Sequence, residues 1–178
     1  QADARAAKLD EKLAEAKKRY FSLAQRLTAL REAAAERLSG DVLSQLRALG
    51  MEKAAFRVAF AAPQDNGEPQ ENGMDALEFL LSANPGEPLK PLAKVASGGE
   101  LSRIMLGFKA IFADNDRIGT LIFDEIDTGI SGRIAGTVGE KMVGIAGAHQ
   151  VICVTHLPQI AALADVHYLV EKTDDGMA

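Results

Sequence analysis

Two short apolar runs constrain the fold of this chain more than any other feature. Residues 120–123 and 151–155 are continuous hydrophobic stretches, each followed by polar side chains. Such runs are typical of strands buried on both faces of a parallel sheet. Between them, residues 131–145 are long enough for the crossover helix that parallel strands require, although its glycines weaken its helix propensity. The chain is therefore predicted to have an α/β fold.

The N-terminal segment has a different periodicity. From Leu9 to Ala34, apolar positions are separated by alternating steps of four and three residues. This 3.5-residue period is typical of a coiled coil, so residues 1–38 are predicted to form a coiled-coil helix. The alternative is a long amphipathic helix that packs on its own domain. Because the chain begins inside this pattern, without a start methionine or a helix cap, we expect it to be part of a longer protein.

Residues 39–178 are predicted to form one globular lobe. Ser39-Gly40-Asp41 is expected to break the long helix, and a second, short helix is expected to run through Leu49 and end at Gly50. Alternating apolar side chains then predict two strands, at residues 56–60 and 77–81. The polar residues 63–74 between them predict a long loop.

Composition restricts the possible functions. The formal net charge of −5 argues against a basic nucleic-acid surface across this segment, so any DNA contact would be local or lie elsewhere. The single cysteine, Cys153, lies in an apolar run and is read as a buried small hydrophobe in a reducing compartment. No apolar stretch approaches the length of about 20 residues that spans a bilayer, which predicts a cytoplasmic protein without a membrane partner.

The first candidate functional feature is a pair of carboxylates. Asp124 and Glu125 directly follow the apolar run 120–123. In P-loop ATPases, a strand of this kind delivers an aspartate to the magnesium shell at the carboxyl edge of the sheet. Glu125 would then orient the attacking water. The alternative is a strand that simply ends in two solvated acids.

The second feature is the loop Ser97-Gly98-Gly99-Glu100, which precedes a helical pattern. Exposed backbone N–H groups and a hydroxyl at a helix N-terminus form an anion site suited to a phosphate. The alternative is an ordinary helix start, because Ser-Gly is a common turn and cap.

The third feature is His156, which follows the second apolar run. An imidazole at that sheet edge could hydrogen-bond a terminal phosphate or the water that attacks it. The other two histidines, His149 and His167, are read as structural residues.

The order of these features resembles the C-terminal half of an ABC-type ATPase head. A heptad helix enters just before the half that carries the loop Ser97-Gly98-Gly99-Glu100. This order is further similar to the heads of the structural-maintenance-of-chromosomes (SMC) group, in which a coiled coil interrupts the ATPase domain. The similarity is densest to a bacterial DNA-repair branch of that group, at residues 82–88, 94–103, 123–132 and 155–161.

The resemblance implies a role for each matching residue. Glu125 and His156 would be catalytic, with His156 the switch histidine, and Asp124 would be the magnesium ligand of the Walker B motif. The signature loop, which would contact the ATP bound to a second head, comprises Ser97, Gly98, Gly99 and Glu100. The D-loop comprises Asp127, Thr128 and Gly129.

The resemblance also implies cofactors and partners. ATP and Mg²⁺ would be held between two heads of a homodimer, and DNA would be a partner of the full-length protein in double-strand break repair and recombination at the nucleoid. The chain itself contains no Gly-Lys pair and hence no P-loop. We therefore expect the N-terminal half of the same protein to supply the P-loop, residues 1–38 to be the descending coil helix, and the isolated chain to be inactive.

Two other functions fit some of the same residues. The ATPase subunit of an ABC transporter shares the catalytic residues but carries a compact helical subdomain where this chain has a heptad helix. A non-catalytic coiled-coil structural module would not need Glu125 and His156. A turnover assay on the full-length protein separates this last alternative from an ATPase.

Overall fold

A computed structural model describes residues 2–61, 68–94, 98–113 and 116–171. In chain order, its elements are α1 (Ala2–Ala48), β1 (Ala55–Ala61), β2 (Ala76–Ser82), β3 (Lys90–Pro91), a 3-10 turn (Leu92–Lys94), α2 (Gly98–Phe112), β4 (Thr120–Phe123), α3 (Gly132–Ala146), β5 (Gln150–Cys153) and α4 (Pro158–Ala161). No helix in the described ranges is both long and apolar enough to cross a membrane.

The chain divides into two compact units. The first contains Gln1–Ser44 and Lys53–Val95, and the second contains Gln45–Glu52 and Ala96–Ala178. The long helix α1 contributes residues to both units, and the candidate site residues that the structure describes all belong to the second.

Helix α1 is continuous, so the predicted break at Ser39-Gly40-Asp41 is wrong. Ser39 does not interrupt the helix, because its Oγ donates to the carbonyl of Ala35, one turn earlier, at 2.7 Å. A glycine within a helix costs only about 1 kcal/mol relative to alanine, and burial of the residues that follow, including Val42 and Leu46, offsets such a cost. Tertiary burial therefore overrides the local break signal.

The predicted helix end at Gly50 is confirmed. Gly50 has a φ of +81°, its N–H donates to the carbonyl of Arg47, and the N–H of Met51 donates to that of Leu46. These two hydrogen bonds form a Schellman motif, which requires a residue in the left-handed region.

The first unit contains the two predicted strands in an antiparallel sheet of order β1-β2-β3. Phe56 pairs with Leu81, and Val58 pairs with Phe79. The segment before β2 is tied to α1, because Asp75 accepts hydrogen bonds from Thr28 at 2.6 Å and from Arg31 at 2.8 Å. The hydrogen bond from Thr28, together with the Arg31 cation, lowers the pKa of the Asp75 carboxyl although burial opposes the shift.

The second unit contains the predicted parallel pair. Strands β4 and β5 align Thr120 with Gln150 and Phe123 with Cys153, and α3 is the crossover between them. One face of this sheet packs into a core, whose fully buried members include Leu49, Leu106, Ile126, Ala135 and Val138. This arrangement confirms the predicted strand, helix and strand.

The expectation that both faces of these strands are buried is wrong for this chain. Leu121 and Phe123 are buried, whereas Ile122, Ile152 and Val154 are 68%, 45% and 58% exposed. Helix α3 packs against α2, β5 and α4, on the side of the buried core. The second face of the sheet therefore presents apolar side chains that nothing covers in the described part of the chain.

Candidate functional site

The loop after β4 holds the two predicted carboxylates at the carboxyl end of the strand. Both Asp124 and Glu125 are exposed, and Asp124 Oδ1 accepts the backbone N–H of Glu125 at 2.9 Å. Glu125 has a φ of +55° and is the only non-glycine residue in the described ranges with a positive φ. This left-handed backbone costs about 1–3 kcal/mol in a non-glycine residue, and such strain is concentrated at functional sites.

The start of α2 lies directly against this loop. A Cβ atom on Gly98 would come 2.3 Å from Glu125 Oε2, and one on Gly99 would come 2.9 Å from both the Glu125 carbonyl oxygen and Thr128 Cβ. Gly99 therefore needs to be glycine because a Cβ would meet the backbone of the loop, whereas at Gly98 the flexible end of the Glu125 side chain could move aside. The Oγ of Ser102 donates to the carbonyl of Asp124 at 2.7 Å. Ser97, the predicted signature serine, lies outside the described residues.

A buried arginine also ties α2 to the loop. Arg103 Nη1 donates to the carbonyl of Thr128 at 2.7 Å and lies 3.4 Å from that of Ile126. Burial lowers the pKa of the guanidinium, while the nearby Glu100 opposes that shift. Arg103 was not among the residues predicted to be functional. Its position four residues after Gly99 and four before Gly107 places it on the same face of α2 as two glycines, a spacing that the sequence does show. In the structure all three residues are buried.

Asp127 brings the carboxylate loop and the histidine segment together. Its Oδ2 accepts hydrogen bonds from Thr155 Oγ1 at 2.5 Å and from the backbone N–H of His156 at 2.9 Å, and it lies 3.1 Å from His156 Nδ1. Burial alone would raise the pKa of the Asp127 carboxyl, but these hydrogen bonds and the adjacent ring lower it below its usual value. The side chain of Asp127 is only 5% exposed, whereas that of His156 is 76% exposed.

The other histidines have different surroundings. His149 is buried, with Nδ1 lying 2.7 Å from the carbonyl oxygen of Ile118 and Nε2 lying 3.1 Å from that of Ala113. Exposed His167 has Nε2 at 3.2 Å from the carbonyl oxygen of Ala164. These contacts are with the protein backbone, as expected of structural residues.

Cys153 has no features of a reactive thiol. It is partly buried, and burial, together with the carboxylates of Asp127 and Asp124, raises its pKa to about 11. A thiol with so high a pKa is a poor nucleophile at neutral pH.

The exposed carboxylates fit one metal better than others. The described residues contain no group of three or more His, Cys, Asp or Glu side chains arranged to hold a metal ion by themselves. Mg²⁺ is commonly bound by one or two protein carboxylates together with water and phosphate oxygens, which fits the exposed carboxylate of Asp124 at an open edge.

Comparison with solved structures defines the class of fold. The chain is similar to an Smc head domain with an extended coiled coil from Pyrococcus furiosus, with a TM-score of 0.52 and 20% identity, over 92% of this chain and 37% of that one. A head with coiled coil and joint from Pyrococcus yayanosii gives a TM-score of 0.52 and 19% identity, over 92% and 28%. The chain therefore has the fold of part of an SMC-type ATPase head, with a long N-terminal helix.

Curated relatives identify the family. The chain is 51% identical to "DNA repair protein RecN" of Halalkalibacterium halodurans over 151 residues, which are 84% of this chain and 27% of that protein. It is 44% identical to the RecN protein of Bacillus subtilis over 166 residues, 86% of this chain and 29% of that protein. No protein-family model matches the chain. The chain belongs to the RecN family and matches the C-terminal part of these relatives, spanning less than a third of their length.

Proposed function

We propose that this chain is the C-terminal half of an SMC-like ATPase head that acts in DNA double-strand break repair and recombination and hydrolyses ATP between two engaged heads. The observation that carries the proposal is the grouping at one sheet edge of exposed Asp124, strained Glu125 and exposed His156, the last held beside the loop through Asp127. The names of the relatives, which are DNA repair proteins, support the biological process.

Each of these residues has a distinct role in the proposed site. Asp124 would hold magnesium, which supplies charge neutralisation at the phosphates when bound. Glu125 would orient and deprotonate the attacking water, and His156 would contact that water or the terminal phosphate. Ser97, Gly98, Gly99 and Glu100 would serve the ATP of the partner head. Thr128 and Gly129 are exposed in the loop and free to face that partner, in contrast to the buried carboxylate of Asp127.

An N-terminal half that carries the P-loop would complete the site and cover the open face of the sheet. That face presents Ile122, Ile152 and Val154, and Met105 on α2, which lines the same depression as Ile122, is 39% exposed. Exposed apolar clusters of this kind mark surfaces that bind another protein segment. The absence of a P-loop from the sequence supports the same conclusion, because the phosphates need its backbone amides and lysine.

The long helix would pair with a second helix of the same protein. Leu9, Leu13, Leu23 and Leu30 lie at heptad spacing on α1 and are at least half exposed. Burial of such a stripe against a partner helix is the driving force of coiled-coil formation. DNA would be bound by other parts of the full-length protein, at the nucleoid in the cytoplasm, because the net charge of −5 on this segment disfavours contact with DNA phosphates.

Two substitutions in the full-length protein test the proposal. Glu125→Gln keeps the shape of the side chain and removes the base, so ATP should persist and an ATP-dependent dimer should accumulate. Asp124→Asn should weaken magnesium-dependent ATP binding and form no such dimer. Light scattering with and without ATP measures the mass, and Glu140→Gln on the exposed face of α3 is the matched control. The proposal is wrong if Glu125→Gln gives no more dimer than Glu140→Gln.

A further inference from the structure

The backbone carbonyls of the loop 124–128 accept hydrogen bonds from two different sources. Those of Glu125 and Asp127 accept from backbone N–H groups three residues later, on Thr128 and Ile130. The other three carbonyls, at positions 124, 126 and 128, accept from side chains of α2. Turn hydrogen bonds therefore account for only part of the backbone of this loop, and α2 supplies the rest.

Arg103 is the buried donor of α2. It is only 7% exposed, and its Nη1 donates to the carbonyl of Thr128 at 2.7 Å and, more weakly, to that of Ile126 at 3.4 Å. Its Nε is buried with no hydrogen-bond partner in the described part of the chain, which makes the burial of this side chain unfavourable. A methionine would fill a similar space without that penalty. Packing alone therefore does not explain an arginine at this position, whereas its contacts with the two carbonyls do.

The contacts from α2 lie on both sides of Glu125. Ser102 Oγ donates to the carbonyl of Asp124, the preceding residue, at 2.7 Å, and Arg103 contacts the carbonyl of Ile126, the following one. Glu125 itself has a φ of +55°. A non-glycine residue remains in the left-handed region only where the surrounding contacts hold it there.

We infer that Ser102 and Arg103 are positioning residues that hold the loop 124–128 so that the backbone of Glu125 keeps its left-handed conformation. That backbone sets the direction of the Cα–Cβ bond, and hence the region that the exposed carboxylate can reach. The inference rests on the proposed role of Glu125 as the base, because a displaced base no longer meets the attacking water. Neither Ser102 nor Arg103 needs to contact the nucleotide, since both act through the loop.

Phosphate release by the full-length protein tests the inference. Arg103→Met removes both carbonyl contacts and should lower kcat by about 10- to 100-fold, the usual effect of a small misplacement of a reacting group. Ser102→Ala removes one exposed hydrogen bond and should lower kcat by about threefold to tenfold. The KM for ATP should stay within about threefold in both variants, because neither side chain is a phosphate ligand in the proposed site. A raised KM with an unchanged kcat would contradict a positioning role.

Conservative variants separate positioning from general damage to the fold. Ser102→Thr keeps the hydroxyl and should retain turnover near that of the wild type. Arg103→Lys keeps a charged donor and should retain more turnover than Arg103→Met. Arg117→Met, the matched control, removes an exposed guanidinium that precedes β4 and should leave kcat unchanged. If Ser102→Thr is as slow as Ser102→Ala, the hydroxyl does not position the loop.

Combination with Glu125→Gln shows whether the two residues act through Glu125. Single-turnover assays at high protein concentration keep the residual activity of Glu125→Gln measurable. In that background, Arg103→Met or Ser102→Ala should lower turnover by no more than about twofold, because the base that they position is already absent. Losses as large as in the wild-type background would overturn the inference and leave the proposed function intact.

Two other outcomes are also decisive. Equal turnover by the wild type and Glu125→Gln would contradict the proposed role of Glu125, and the inference with it. If Arg103→Met does not fold, Ser102→Ala and its combination with Glu125→Gln give the same decision.

Discussion

A histidine lies near each end of β5, and the two differ in burial and in hydrogen-bond partners. At the amino end, His149 is buried, and both of its ring nitrogens lie against backbone carbonyls. At the carboxyl end, Asp127 accepts the backbone N–H of His156 at 2.9 Å, while the His156 side chain is 76% exposed. The four residues of β5 and two further residues separate the two histidines along the chain.

The difference shows how to separate a structural polar residue from a functional one. At the amino end of β5, both ring nitrogens of His149 contact backbone carbonyls, so neither nitrogen is available to a ligand. At the carboxyl end of β5, Asp127 holds the backbone of His156, and most of the ring is left exposed to a ligand. Arg103 Nη1 donates to the carbonyl of Thr128, in the same loop as Asp127, at 2.7 Å. A buried group that positions an exposed one is the arrangement expected of a binding or catalytic site.

The largest expected effects come from removing each histidine in turn. His156→Ala should lower ATP turnover of the full-length protein by about 10²–10⁴, the usual contribution of a positioned histidine, and change stability by no more than about 1 kcal/mol. His149→Ala should do the reverse, because the neutral imidazole donates to one of the two carbonyls of Ile118 and Ala113, and that carbonyl loses its donor. Loss of that hydrogen bond should cost about 1–3 kcal/mol of unfolding free energy, with turnover per folded molecule retained. Urea unfolding and phosphate release measure the two quantities. The comparison fails if both variants lose stability equally.

A smaller change in the free energy of unfolding is expected when either of two glycines is replaced by alanine. Gly99→Ala places a methyl group 2.9 Å from the Glu125 carbonyl oxygen and from Thr128 Cβ, so we expect a loss of about 1–3 kcal/mol and a displaced Glu125. Gly136 lies within α3 with no atom within 4 Å of the added methyl group, so Gly136→Ala should raise stability by about 0.5–1 kcal/mol. Urea midpoints of the two variants should therefore move in opposite directions. A Gly99→Ala midpoint at or above wild type would show that the loop does not need this close approach.

Sequence reasoning predicted the elements better than their contacts. The strands, the crossover helix and the end of α1 at Gly50 follow from hydrophobic period and turn chemistry, which are local properties. The break at Ser39-Gly40-Asp41 was wrong because burial further along the helix outweighs a local glycine. Asp124, Glu125 and His156 were singled out because each follows an apolar run, and their roles stay predictions.

The part that could not be predicted depends on the three-dimensional packing. Nothing in the sequence indicates that Asp127 turns inward to His156, that Arg103 reaches Thr128, or that Gly98 lies against the Glu125 side chain. These contacts join residues more than twenty positions apart. Their geometry is set by how α2 and the loop after β4 pack on one core.

The most direct test of the claim that the open sheet edge is half of an ATP-hydrolysing site is steady-state phosphate release with ATP and magnesium. Four samples are needed: this chain alone, the full-length protein, its Glu125→Gln variant and its Glu140→Gln variant. We expect background turnover from the chain alone, full activity from the wild type and Glu140→Gln, and a loss of about two to four orders of magnitude for Glu125→Gln. Wild-type turnover by Glu125→Gln, or sustained turnover by the chain alone, would contradict the account.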